Sequence, residues 1–136
     1  MNPFHLFRYV PLSLLRALAR GVGWVMRYLP TLNTHRIIRI NLDLAYPHLS
    51  DAQKIERHHA ILINQALTGV ESVKTWAMSP EWAIDQIYAV HNEQVLQDGL
   101  ANPNGMLAIV PHLGTWEVMN AWLNQFGSPT IMYKPV

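Results

Sequence analysis

The 136-residue chain has no cysteine, so disulfides and thiol nucleophiles are excluded. Charged residues are also scarce, at 14% against a usual value of about 25%. No acidic residue precedes Asp43, and no uncharged run in the first 40 residues is long enough to span a bilayer. Half of the chain is nevertheless hydrophobic, with five tryptophans. This composition is more typical of a protein that lies on a membrane than of a freely soluble one.

The missing acids leave the first 40 residues strongly basic. Six arginines precede Asp43: Arg8, Arg16, Arg20, Arg27, Arg36 and Arg39. The remaining chain carries four basic side chains and all nine acids. The net charge of +1 is therefore the sum of about +6 in the first segment and about −5 in the second. Such asymmetry points to a polyanionic partner.

Residues 12–29 have the pattern of a helix that lies in a membrane interface. At about 100° per residue, one sector holds the large apolar side chains Leu14, Leu15, Leu18, Val22, Val25 and Leu29. Arg16, Arg20 and Arg27 cluster on the opposite side, and Trp24 stands at the edge of that basic face. The pattern predicts contact with an anionic membrane surface rather than with nucleic acid. Packing of the apolar sector on the protein's own core, a signal peptide and a transit peptide remain alternatives.

Further helices are predicted over residues 34–45, from Ser50 to about residue 68 or beyond, and from Ser79. Ser50 and Gln53 form a capping-box pattern, and Ser79-Pro80-Glu81 is a helix-start signal. His58 and His59 are adjacent and cannot share a helix face as metal ligands do at i and i+4, so no metal site is predicted.

The second half of the chain alternates between apolar runs and helical patterns. Strands are predicted at residues 87–90, 106–110 and 130–133, with helices at 93–101 and 115–126. This order predicts an α/β fold in which a βαβαβ unit begins a mostly parallel, incomplete sheet. We therefore expect three regions, an anchor helix (1–33), a helical region (34–86) and the first part of an α/β core (87–136), which suggests a piece of a longer protein.

The segment Val110-Pro111-His112-Leu113-Gly114-Thr115-Trp116-Glu117 is the candidate for chemistry. His112 follows a predicted central strand, where α/β proteins bind ligands. Gly114 allows a sharp bend, Thr115 can cap the next helix, and Glu117 falls in its first turn. The bend brings the His112 imidazole towards the Glu117 carboxylate, the pairing of a general base. Spacing alone gives roughly half a chance match in such a chain, so plain helix capping is the competing interpretation.

Pro111–Glu117 closely resembles the H-x4-D/E block of the lysophospholipid acyltransferase superfamily, in particular the bacterial lipid A late acyltransferases. Three other stretches resemble segments of the same family: Asn41–Pro47 with Leu49-Ser50, Glu71 with Trp76, and Tyr133-Lys134-Pro135. Thr115 departs from the asparagine that is common there, and family members are about twice as long.

The resemblance implies transfer of a fatty acyl chain from acyl-carrier protein to a hydroxyl of a lipid A precursor, without a cofactor or metal. It implies His112 as the general base, oriented by Glu117, and Gly114, Thr115 and Lys134 as substrate-binding residues. It also implies a location on the cytoplasmic face of the bacterial inner membrane. A related enzyme with another lipid acceptor and an inactive membrane-binding fragment are the alternatives.

Overall fold

The computed structural model describes residues 3–31 and 33–132, in which every regular element is helical. Two 3-10 segments, Pro3–Arg8 and Asn124–Phe126, accompany six α-helices: α1 (Leu12–Met26), α2 (Asn33–Ala45), α3 (Asp51–Ala77), α4 (Pro80–Asp85), α5 (Glu93–Ala101) and α6 (Glu117–Leu123). The chain divides into two compact units, Met1–Ala77 and Met78–Val136.

Helix α1 packs on α3 through small side chains. Leu15, Ala19 and Gly23, spaced four residues apart, are the buried residues of α1. A Cβ atom at Gly23 would lie 2.6 Å from the Cα atom of Ile63 on α3. The two helix backbones therefore approach so closely that only glycine fits at this position.

Helix α2 also packs on α3 in the first unit. Ile38 and Leu42 of α2 are buried against Leu62, which is fully buried. Met26 and Ile61 pack around this small cluster. The turn before α3 has the predicted capping box, in which the Ser50 amide donates to Gln53 Oε1 at 2.9 Å and the Gln53 amide to Ser50 Oγ at 3.4 Å.

A buried lysine fastens the N-terminal segment to α3. The Lys74 ammonium group donates to the carbonyl oxygens of Phe7, Arg8 and Val10 at 2.9, 3.0 and 2.9 Å. Burial lowers the pKa of Lys74. Because these carbonyls lie at the end of the first 3-10 segment, one charged group satisfies three acceptors where the chain turns into α1.

The second unit is built around short helices. Ser79 caps α4 by accepting a hydrogen bond from the Trp82 amide at 3.3 Å, with Pro80 in the first turn, as predicted. Helix α6 packs against α4 and continues into the second 3-10 segment. The predicted helices 93–101 and 115–126 correspond to α5 and to α6 with its 3-10 extension.

The predicted α/β fold with a βαβαβ unit is wrong for the described residues, which contain no strand. Residues 87–90, 106–110 and 130–132 are irregular, and Tyr133, the end of the third predicted strand, lies outside the described residues. Side chains expected in a buried sheet are instead largely exposed: Tyr88, Leu107, Ile109, Ile131 and Met132. Apolar, β-branched runs mark segments that are able to pair. Pairing itself requires a neighbouring strand whose backbone groups bond to each N–H and C=O. A local sequence pattern does not show whether such a strand is present.

Within the part of the chain that the structure describes, no helix is both long enough and apolar enough to cross a membrane.

We predict opposite effects for two alanine substitutions in α1. Gly23→Ala forces the Ile63 backbone to move and is expected to destabilise the first unit by about 1–3 kcal/mol. Gly21→Ala, where a Cβ meets nothing within 4 Å, is expected to stabilise it by about 0.5–1 kcal/mol. Denaturant unfolding of both variants measures the difference, and equal effects would contradict the close contact.

Candidate functional site

His112 lies at the centre of a tight turn and is exposed. The Leu113 amide donates to the carbonyl oxygen of Pro111 at 2.9 Å, which closes a three-residue turn around His112. The chain then bends at Gly114, whose φ of +60° lies in the left-handed region that favours glycine. The bend expected at Gly114 is therefore present, and it separates His112 from the helix that follows.

Helix α6 begins at Glu117, one turn after this bend. Trp116 is its N-cap residue and makes no side-chain capping bond, so the prediction that Thr115 caps the helix is wrong. The Thr115 carbonyl oxygen instead accepts from the Val118 amide at 3.2 Å in the first turn. Glu117 falls in the first turn of α6, as predicted, where the helix dipole favours a carboxylate.

The imidazole of His112 stacks on the indole of Trp116. The ring centroids are 4.3 Å apart and the planes are parallel to within 2°. Sequence reasoning missed this contact, because His112 precedes the helix and no helical spacing rule connects its ring to Trp116. Stacking holds the imidazole by one face and leaves the ring edge, with its two nitrogens, exposed to incoming groups.

Glu117 lies close to His112 in sequence but is not hydrogen-bonded to it. Both residues are described, and no hydrogen bond or ion pair joins them. Oxygen Oε2 of Glu117 is buried and has no hydrogen-bond partner. A buried carboxylate oxygen without a donor is uncommon, because its desolvation is not offset. The structure thus places an imidazole and an unsatisfied acceptor on either side of a glycine bend.

The other site residues predicted in this half of the chain are only partly covered by the described structure. Gly114 and Thr115 border the His112 turn, and their binding of substrate stays a prediction. Lys134, with the Tyr133-Lys134-Pro135 segment, lies outside the described residues. Among the described residues no group of three or more His, Asp or Glu side chains could hold a metal ion.

In the first unit, the arginines predicted to face a membrane take different roles. Arg16 donates to Glu71 of α3 at 2.6 Å, so it ties α1 to α3. The guanidinium of Arg27 lies over the rings of Trp24 and Tyr28, 4.7 and 5.5 Å from their centroids. Arg20 is exposed, without an ion-pair partner among the described residues. Of these three arginines, Arg20 is therefore the one without an ion-pair or ring contact among the described residues, and contact of all three with anionic headgroups stays a prediction.

The apolar sector of α1 is only partly covered by the protein. Of its six large side chains only Leu15 is buried. The other five are about half exposed: Leu14, Leu18, Val22, Val25 and Leu29. We refer to these five as the apolar flank. The core-packing alternative thus holds for the small-residue stripe of α1 and not for the apolar flank.

Two histidines of different helices form a pair that the sequence did not reveal. His35 Nδ1 of α2 and His58 Nε2 of α3 are 2.8 Å apart, and His35 Nε2 lies 3.0 Å from the Met26 carbonyl oxygen. The partners are 23 residues apart, and no spacing rule connects them. His58 is thus engaged with α2 and not with a metal-ligand set.

Comparison with known families identifies the chain. Residues 4–136 match the sequence model of the bacterial lipid A biosynthesis acyltransferases. The match covers nearly the whole chain, so the chain belongs to this family of acyltransferases, as the resemblance indicated. Comparisons with curated proteins and with solved structures give no significant match.

We predict that the stacked pair is visible in solution. Replacing Trp116 by leucine removes the aromatic ring over the imidazole, so the His112 ring protons should move downfield in the NMR spectrum. His91, which is exposed and makes no ring contact with Trp116, provides the matched reference signal. An unchanged His112 signal in Trp116→Leu would show that the two rings are not stacked in solution.

Proposed function

We propose that this chain takes part in transfer of a fatty acyl chain from acyl-carrier protein to a hydroxyl group of a lipid A precursor. The observation that carries the proposal is the family match over residues 4–136, which establishes the acyltransferase class and its place in lipid A biosynthesis. The acyl donor, the hydroxyl acceptor and the roles of individual residues are inferred from the family resemblance of the His112 segment.

In the proposed reaction, the acceptor hydroxyl attacks the carbonyl carbon of the acyl thioester. His112 takes the hydroxyl proton as the new C–O bond forms. The C–S bond then breaks, and the departing thiolate recovers a proton from the imidazolium. The products are an ester and a free thiol on the carrier, so no cofactor is consumed. A general base of this kind contributes about 10²–10⁴-fold in rate.

The unpaired oxygen of Glu117 supports its proposed role as the group that orients His112. A carboxylate that accepts an imidazole N–H fixes the tautomer and stabilises the imidazolium formed during the reaction. In the described structure His112 instead lies against Trp116. The proposed pairing therefore requires the imidazole to leave the indole and turn inward, a movement that the bend at Gly114 permits. Gly114 and Thr115 then border the position of the incoming acyl group, and Lys134 is proposed to contact a phosphate of the substrate.

Membrane attachment is the second part of the proposal. The apolar flank presents five half-exposed side chains, four on one face of α1 and the fifth, Leu29, three residues beyond its end. Covering them with lipid is worth on the order of 4–7 kcal/mol before ordering costs. We place this face on the cytoplasmic leaflet of the inner membrane, where Arg20 and Arg27 meet anionic headgroups and Trp24 lies at the interface. An acceptor that is itself a membrane lipid makes such attachment useful, because enzyme and substrate then share one surface.

The test is acyl transfer from acyl-carrier protein to a lipid A precursor, followed by mass spectrometry of the lipid. The chain and the longest reading frame that contains it are assayed side by side, each with His112→Ala and with the exposed-histidine control His91→Ala. We expect His112→Ala to lower the rate about 10²–10⁴-fold, Glu117→Gln to lower it less, and His91→Ala to leave it unchanged.

Each contrary result has a separate meaning. Transfer that persists in His112→Ala would remove His112 as the base. Transfer by the longer frame alone would make the present chain an inactive, membrane-binding part of the enzyme. Absence of transfer to lipid A precursors in every form, with transfer to another lipid alcohol, would change the acceptor and keep the acyltransferase class.

A further inference from the structure

A groove of about 690 Å³ lies between α2 and α3 of the first unit. On α2 it is lined by the stripe His35, Arg36, Arg39 and Asp43, and on α3 by Asp51, Lys54 and His58. These positions recur every three to four residues on each helix, so each set forms one continuous face. Basic side chains outnumber acidic ones along both helices together.

Among the described residues, one ion pair lies in the groove, and it leaves the guanidinium groups of both groove arginines without a carboxylate partner. Lys54 Nζ lies 2.7 Å from Asp43 Oδ1, so these two charges largely offset each other. Arg36 and Arg39 are exposed, and within residues 3–31 and 33–132 neither has an ion-pair partner. Asp51 is the remaining acid on this surface. The groove therefore carries net positive charge even when both histidines are neutral.

The His35–His58 pair supplies a third donor, and its hydrogen bonds define the tautomers. The Met26 carbonyl oxygen can only accept, so His35 Nε2 carries a proton and donates to it. In neutral His35, Nδ1 is then the acceptor, and His58 Nε2 donates to it. One added proton on His58 Nδ1 keeps both bonds and creates a new N–H donor, whereas a second proton on the pair would break the bond between the rings.

The surroundings of His58 oppose that first proton. Burial, and then the nearby His35, His59 and Arg39, lower the pKa of His58 below its ordinary value. A bound anion has the opposite effect, because it stabilises the imidazolium. Anion binding and proton uptake by His58 are therefore coupled.

We propose that this groove binds a phosphate group, held by Arg36, Arg39 and the protonated His58. Planar guanidinium groups form paired hydrogen bonds to the oxygens of a phosphate or a carboxylate, and a phosphate has enough oxygens to accept from both guanidinium groups and the imidazolium together. The groove is much larger than a phosphate ion, so a sugar or glycerol attached to the phosphate also fits.

The groove lies beside the end of α1, since His35 bonds to the carbonyl of Met26, the last residue of that helix. Two members of the apolar flank lie near Met26 in sequence: Val25 directly precedes it, and Leu29 follows it by three residues. The phosphate can therefore belong to a lipid headgroup at a membrane surface or to a soluble phosphate ester. The proposal does not rest on acyl transfer by His112, and either can fail without the other.

The experiment follows the His58 ring signals of the full chain by NMR during addition of inorganic phosphate. We expect saturable binding that raises the pH at which His58 titrates. Arg39→Gln should weaken binding roughly tenfold. The control Arg8→Gln removes the same charge from an exposed side chain outside the groove and should bind as the original chain does.

A second arm uses phosphatidylcholine vesicles with and without phosphatidic acid. Movement of the His58 signals with vesicles that contain phosphatidic acid, and not with phosphatidylcholine alone, assigns the site to a lipid headgroup. Response to free phosphate without response to the vesicles assigns it to a soluble ester. Absence of saturable binding by either probe, or equal weakening by Arg39→Gln and Arg8→Gln, would overturn the proposal. Circular dichroism of both variants, whose altered side chains are exposed, verifies that they remain folded.

Discussion

The contact between α1 and α3 at Gly23 determines how the first unit presents its surfaces. A Cβ atom built at Gly23 would lie only 2.6 Å from the Ile63 Cα atom, so α1 and α3 are in close backbone contact here. Rotation of α1 about its axis would bring a larger side chain into this contact and cause a clash with the α3 backbone. The stripe formed by Leu15, Ala19 and Gly23 must therefore face α3. At about 100° per residue, the apolar flank is centred about 100° to one side of this stripe and the arginines about 80° to the other.

That orientation reconciles two uses of one helix that compete in the sequence. Small side chains provide the attachment to the protein, and the large apolar side chains remain outward. Arg16 reinforces the orientation through Glu71 of α3, and the Lys74 ammonium group fixes the segment that leads into α1. Because the end of α1 also supplies the carbonyl that positions His35, the same packing shapes the proposed phosphate groove.

Features that depend only on residues close together in the sequence could be predicted from it. The starts of α1 and α3, both bounds of α5, the Ser50–Gln53 capping box and the bend at Gly114 all follow from local rules, whereas α1 ends at Met26 and not at residue 29 as predicted. Helix α3 runs to Ala77, beyond the part of the sequence, to about residue 68, in which its helical pattern is clear. The predicted sheet failed because strand pairing depends on distant segments, and Tyr88 and Ile109 are exposed instead.

The candidate site also has features that the sequence predicts and features that it does not. The motif around His112 and Glu117 identified the family, since residue type and spacing are written in the sequence. The conformation of the imidazole was not predictable, because stacking on Trp116 and turning towards Glu117 are both compatible with that spacing. The His35–His58 pair was also beyond reach, because it depends on how α2 packs against α3.

The most direct test of this account is the orientation of α1 at a membrane, and the lack of cysteines makes it straightforward. Single cysteines introduced along α1 are labelled with nitroxide, and collisions with oxygen and with a water-soluble nickel chelate are measured on anionic vesicles. We expect oxygen contact to be greatest at Leu14, Leu18, Val22 and Val25, and nickel contact to be greatest at Arg20. Greatest nickel contact at the four apolar positions would show that this face meets water, and would contradict the account.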